Sequence, residues 1–246
     1  MEYIAHSFEH KGHKVEVIQE EWQEDFNPRK NYDNASTFFC AHRNYILGDE
    51  QVDDPETFLE GLVGLDFDDE YGDRLEAVWQ WLCDRYDNVY GEPLEDGKTS
   101  PFNYERIEEA ARAKFAKLVE AKLGDYVIRP LYLYDHSGIT INTGGFSCPW
   151  DSGQVGYAVI DPDTLQKEWD GDRDKALACL EAEVETYARY LEGQVYFIRI
   201  LGPVDPEAEE GLEEESREEI EESGIGGFIG YPDSDWIVDE AKALIA

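Results

Sequence analysis

Residues 127–157 read VIRPLYLYDHSGITINTGGFSCPWDSGQVGY. Residues 126–134 are rich in β-branched and aromatic side chains, which is strand composition. Pro130 has no N–H for a ladder and pushes that strand toward an edge or a bulge. Asp135-His136-Ser137-Gly138 is turn chemistry, with Asp and Ser suited to capping local amides and Gly138 to a positive φ. Residues 139–142 return, so the two runs predict a β-hairpin. A Gly-containing loop follows over 143–153, and 154–160 reads as a third strand.

Working outward, 163–192 is largely helical with an interruption near Gly171, and Ala176, Leu180, Val184, Tyr187 and Leu191 form its inward face. Residues 194–201 read as a fourth strand in the hairpin's sheet, and the helix is expected to lie across one face of that sheet. In the first half, 14–19 (KVEVIQ) alternates as a strand, 27–34 is a loop, and 36–43 (STFFCAHR) is extended. Asp54 suits an N-cap with Pro55 at the first helical position. Further helices are predicted over 73–86 and 103–123, the latter stopped by Gly124. Residues 224–230 read as a flexible apolar joint before a closing helix at 235–246. Strands that come hairpin-first argue an α+β fold: an antiparallel sheet with a hairpin packed against helices, and an acidic helical or disordered segment near the C-terminus. One domain over 1–246 is expected, with a helical subregion at 54–124, a core sheet region at 125–202 and the acidic segment at 205–222.

The charge is extreme: 57 acids against 21 bases, a formal −36 over 246 residues. Residues 49–76 hold twelve acids and one base, and 205–222 hold eleven acids and one base. With 41% hydrophobic residues the chain is too apolar to be disordered throughout. A general acidic excess suits molar salt, where the Debye length falls to about 3 Å and self-repulsion is screened. Clustered carboxylates also imitate duplex DNA, which carries one charge per roughly 1.7 Å of axis. Direct binding to nucleic acid or to an anionic membrane is disfavoured on either account. No apolar run approaches the roughly 20 residues of a membrane span, and residues 1–14 lack the apolar core of a signal peptide, so a cytoplasmic location is expected. The cysteines Cys40, Cys83, Cys148 and Cys179 are far apart with no CxxC, which suits free thiols.

The 127–157 stretch displays polar groups in Gly-rich turns between strands, the usual setting of a functional loop. A catalytic reading takes His136 as general base, Cys148 as nucleophile and Asp135 or Asp151 as the orienting acid. The bland reading has Asp135 and Asp151 capping backbone amides in their turns. A zinc reading would combine Cys40 and His42, two apart on a strand, with His136 and Cys148, although that spacing fits no usual pattern. His6, His10 and His13 suit a surface loop. The run DFDDE at 66–70 lacks the spacing and glycine of a calcium loop. No cofactor is implied.

The segments PLYLYDHSGIT, FSCPWDSGQVG, EVETYARYL with GQVY, and YDN…CAHRNYILGDE together resemble an uncharacterised family of small proteins encoded by tailed phages and mobile elements. The resemblance covers roughly residues 32–54 and 128–196. The greater acidity of this chain and its tail after Leu201 look like adaptation to a halophilic host, an archaeon or its virus. The resemblance implies no assigned activity; by analogy with other small acidic phage proteins it implies counter-defence. The resulting expectation is an acidic inhibitor that occupies the basic nucleic-acid-binding groove of a host protein. Its binding surface would be Asp53, Asp54, Glu56, Asp66, Asp68, Asp69 and Glu70, with Glu209, Glu210, Glu213, Glu214, Glu215, Glu218 and Glu219. Phe58, Phe67, Tyr71, Leu212 and Ile220 would add short-range contacts. The competing expectations are an enzyme built on Cys148, His136 and Asp151, and a virion accessory protein whose charge only serves salt.

Overall fold

The computed structural model describes residues 2–21, 23–85, 89, 103–204, 217–218 and 224–245, with the side chain of Glu56 outside the description. The hairpin forms where the sequence places it. Strands β5 (Val127–Asp135) and β6 (Ile139–Asn142) pair antiparallel from Tyr132↔Asn142 to Asp135↔Ile139. Strand β7 (Ser152–Ile160) pairs antiparallel with the other side of β5. Strand β3 (Thr37–Cys40) then pairs antiparallel with β7, and the short β4 (Glu50–Gln51) runs parallel to β3. The five-stranded sheet is therefore mixed, in the order β4-β3-β7-β5-β6. Pro130 lies where β5 has β7 as its only neighbour, one residue before a register shift between Leu131 and Tyr132. That is how the sheet tolerates a residue without an N–H.

Helices α5 (Pro162–Trp169) and α6 (Arg173–Leu191) follow β7. Asp161 accepts the amides of Asp163 and Thr164, Asp172 accepts that of Lys175, and Asp170 (φ 52°) makes the left-handed break between the helices. Helix α6 covers one face of the sheet. Leu180, Val184 and Tyr187 meet Leu131, Ile141 and Ile160 there in a buried cluster. Cys40 faces the same core at 0% exposure. Gly156 sits where β7 crosses β3, and a Cβ there would stand 1.8 Å from the Phe39 carbonyl oxygen.

A buried arginine ties this layer to the N-terminal segment. Helix α1 (Pro28–Asn31) carries Arg29, whose side chain is 2% exposed and lies 3.7 Å from the centre of the Phe38 ring. Its guanidinium donates to Asp49 through Nε and Nη2, to Glu183 on α6 and Asn34 through Nη1, and to the Ser36 carbonyl through Nη2. The acids are also satisfied. Asp49 accepts the Phe38 amide at 2.7 Å, and Glu183 accepts the Ala35 amide at 2.8 Å and the Ser36 hydroxyl.

A second, fully antiparallel sheet has the order β1-β2-β8-β9, from β1 (Ile4–His10), β2 (His13–Gln19), β8 (Val195–Leu201) and β9 (Ile225–Ile229). This corrects three expectations. Residues 194–201 do not join the hairpin's sheet; β8 pairs with β2 from Lys14↔Leu201 to Gln19↔Tyr196. Alternation fixes that a segment is a strand, not which strand it pairs with. The pairing sets Glu16 against Arg199, whose Nε and Nη2 donate to Glu16 at 3.0 and 2.6 Å. His6, His10 and His13 lie on strands, not in a loop, and residues 225–229 are a strand, not a joint. Helix α7 (Asp235–Ala243) packs Ile237 and Ala241 against Val15, Val17, Ile198 and Ile200. Of the segment 205–222 only Arg217 and Glu218 are described. Arg217 donates to Glu9 and to the Gly12 and Gly202 carbonyls, and the Gly202 amide donates to the Glu218 carbonyl.

The helical subregion has a small core of its own. Helices α3 (Asp73–Cys83) and α4 (Tyr104–Leu123) bury Leu75, Ala111, Phe115 and Val119 with Phe67. Asn103 caps α4 by accepting the Arg106 amide. Helix α2 (Pro55–Leu62) sets Phe58 against Phe39 and Tyr157, ring centres 4.6 and 6.0 Å away, on the face of the five-stranded sheet opposite α6. Among the described residues no helix is long and apolar enough to cross a membrane.

Arg29→Ala leaves Asp49 and Glu183 beside the core without their counter-charge. We expect a loss of about 3–5 kcal/mol of stability, the usual cost of breaking one side of a buried ion pair. Arg29→Lys is expected to be nearly as damaging, because an ammonium cannot reproduce the guanidinium fork. Urea denaturation of both variants checks this; a loss below about 1 kcal/mol would contradict it.

Candidate functional site

The hairpin turn and the loop before β7 are fastened together. The Asp135 amide donates to the Asp151 carbonyl at 2.8 Å, and the His136 amide donates to the Gly138 carbonyl at 3.0 Å. Ser137, with φ 60°, takes the left-handed position of the turn. Asn142 organises the loop. Its Oδ1 accepts the amides of Gly144 and Gly145 at 3.1 and 2.7 Å, and its Nδ2 donates to the Gly145 carbonyl. The Phe146 ring stacks on Tyr134 at 5.4 Å, and the Ser152 hydroxyl donates to the Cys148 carbonyl.

These constraints bring His136, Cys148 and Asp151 together. Asp151 Oδ2 lies 3.4 Å from Cys148 Sγ and 3.4 Å from His136 Nδ1. The order is the point. Nucleophilic cysteine chemistry needs the imidazole next to the thiol with the acid behind it. Here the carboxylate stands between the two. Asp135 is held elsewhere: its Oδ2 accepts the Tyr45 hydroxyl at 3.2 Å, and the Tyr45 ring stacks on His42 at 4.9 Å. The expectation that Asp135 and Asp151 cap backbone amides is therefore corrected. Asn142 does the capping, because β5 runs through Asp135 and aims its side chain at the 41–47 loop.

The zinc set is not assembled. Cys40 points into the core under α6, while His42 stacks on Tyr45 outside it. Burial first, then the Asp49 carboxylate, pushes the Cys40 thiol up to about 12. Among the described residues no group of three or more His, Cys, Asp or Glu side chains could hold a metal ion.

A cleft of about 540 Å³ opens beside this region, lined by His42, Arg43, Asp135, Trp150, Asp151 and Gln154 among others. Trp150 is 92% exposed, and Ile46, in the same loop as His42 and Tyr45, is 88% exposed. The sequence reading missed Arg43, which lines the cleft, and Tyr45, which holds Asp135, as parts of the site. The only available signal was a large apolar residue beside the polar run His42-Arg43-Asn44.

The described residues include only part of the expected acidic surface. Asp53, Asp54, Asp66, Asp68, Asp69 and Glu70 are exposed, and Asp66 Oδ1 also accepts the Asp68 and Asp69 amides. Asp49, from the same cluster, belongs to the buried arginine. The Glu56 side chain lies outside the description, as do Glu209, Glu210, Glu213, Glu214, Glu215 and Glu219, together with Leu212 and Ile220; Glu218 is exposed. Phe67 is buried with Tyr71 stacked on it, and Phe58 is half-buried with its ring packed against Phe39 and Tyr157. No family model matches this chain, and no curated protein and no solved structure is significantly similar to it.

The thiols should separate by reactivity, since the thiolate is the reacting species. Cys179 is raised by burial and then by the Glu183 carboxylate, in the same direction as Cys40. Both stay protonated at about pH 8, whereas Cys83 is exposed. Iodoacetamide labelling with peptide mass spectrometry should modify Cys83 and spare Cys40 and Cys179 until the chain is unfolded. Early labelling of Cys40 would contradict the fold of β3.

Proposed function

We propose that this chain is an acidic binding protein that occupies the basic nucleic-acid-binding groove of a host protein, a DNA mimic in a counter-defence role. The observation that carries the reading is the exposed acidic surface around the π-helical turn Asp68–Gly72. Asp53, Asp66, Asp68, Asp69 and Glu70 make no salt bridge with any base among the described residues. Carboxylates presented this way keep their field for a partner and steer encounter with a positive groove. Short-range contacts would come from Ile46 and Trp150, which are almost fully exposed, whereas Phe67 is buried and Phe58 half-buried. The resemblance to proteins of phages and mobile elements supports the same reading.

One observation favours a second reading. The contacts of Asp151 with Cys148 and His136 bring three chemistry-bearing groups to one cleft edge, as an enzyme would require. Cys148→Ala separates the two readings, since it should abolish an activity and leave groove occupancy intact.

Two experiments test the leading reading. A host protein captured by this chain should release it when duplex DNA is titrated in. Asp68→Lys, Asp69→Lys and Glu70→Lys together should weaken capture by about tenfold or more. Simultaneous binding of DNA and this chain would defeat the mimic. The second experiment is a thermal melt in rising KCl. With −36 on the chain, screening should raise the melting temperature between about 0.1 and 1 M. A flat or falling curve would remove salt adaptation as a cause of the general acidity.

A further inference from the structure

The seam between α3 and α4 has two flanks of opposite charge. On one flank Phe67, Leu75, Trp79 and Tyr104 line a groove whose charged rim is Asp68, Glu76 and Glu108, with Arg112. Arg112 is already committed, donating to Glu108 at 2.9 Å. On the other flank a groove of about 480 Å³ has an apolar floor that includes Val78, Ile107 and Ala110. Its charged lining is Arg74, Arg106 and Lys114, with no acid.

These cations make no ion pair within the described fold. Arg74 lies over the Tyr71 ring at 6.0 Å. The situation is unusual in a chain where acids outnumber bases 57 to 21. Helix α4 itself carries five bases and four acids, against the trend of the whole chain. Like charges gathered on one rim repel one another, and an anion placed between them removes that cost. The first turn of α4 adds the positive end of its dipole at the Asn103 end of the groove. The volume falls within the range of small-molecule sites, which pair an apolar lining with a few placed polar groups.

We propose that this groove binds a small amphiphilic carboxylate, with the anionic head held by Arg74, Arg106 and Lys114 and the aryl or acyl body laid on Val78, Ile107 and Ala110. An inorganic anion would leave the floor wet, and a neutral apolar molecule would leave the cations unneutralised. The acidic flank of the same seam serves as a built-in control, because it shares the helices and differs in charge.

Isothermal titration of the full chain with 1-naphthoate, and with 1-naphthalenemethanol as the uncharged counterpart, tests the assignment. The expected result is saturable one-site binding of naphthoate, about tenfold or more tighter than the alcohol. Arg74→Gln with Arg106→Gln should bring naphthoate down to the alcohol's affinity, and Lys114→Gln should move it the same way. Ala110→Trp, which fills the groove, should block both probes. Arg112→Gln, on the acidic flank, should change neither. Unchanged thermal melts show that each variant is folded. The proposal is overturned if the acid binds no tighter than the alcohol, or if binding survives in the arginine double variant. Absence of saturable binding by both naphthoate and dodecanoate overturns it as well.

Discussion

The guanidinium of Arg29 is the constraint on which the central layer depends. All five of its N–H groups are used, on Asp49, Glu183, Asn34 and the Ser36 carbonyl. Its partners come from the segment between α1 and β3, from the turn into β4, and from α6. Removing three charges from water is costly, and such a cluster is weak evidence of net stability by itself. What it supplies is position, because these segments must meet at one point for the donors and acceptors to pair as they do. The glycine before Asp49 belongs to the same arrangement. Gly48 has φ 67°, its amide donates to the Tyr187 hydroxyl, and a Cβ there would meet the Phe38 carbonyl oxygen at 2.7 Å. Burial pushes that hydroxyl up to about 12, so it remains a neutral partner inside the core.

From that layer outward, the fold sorts polar groups by how firmly they are held. The loop of Cys148 and Asp151 is fixed by Asn142 and by the bond from the Asp135 amide to Asp151, so its side chains are displayed on a rigid edge. Trp150 stands out from this edge with almost none of its surface covered. The resulting cleft offers orientation without the acid–base order that a thiol nucleophile needs. That order is the physical ground on which we propose recognition rather than catalysis.

Charge is segregated as well as abundant. Some acids are structural: Asp49 and Glu183 inside, Glu16 beside Arg199, and Asp161 and Asp172 at helix starts. Others, at 66–70, face solvent and form no salt bridge with a base among the described residues. The few bases divide likewise. Arg29, Arg199 and Arg217 are tied to named partners, while Arg74, Arg106 and Lys114 line one flank of the α3/α4 seam. A single net charge therefore describes neither surface. An anionic face and a small cationic groove coexist because helices α3 and α4 put different residues on opposite flanks.

Local chemistry was legible in the sequence because it acts over a few residues. Turn residues and alternation gave the hairpin and β7. Periodicity gave α4 and α6 with their buried faces, and the break near Gly171 followed from local backbone preference. Composition gave an acidic surface. Pairing and convergence were not legible, because they depend on residues far apart in the chain. The partner of β8 was decided by complementarity with β2, including Glu16 against Arg199, 183 positions apart. Arg29 read as a loop residue until Asp49 and Glu183 closed around it. Asp135 and Asp151 read as turn caps until Tyr45 and Cys148 claimed their carboxylates. Periodicity tells a residue which way to face, and only the assembled fold decides what it faces.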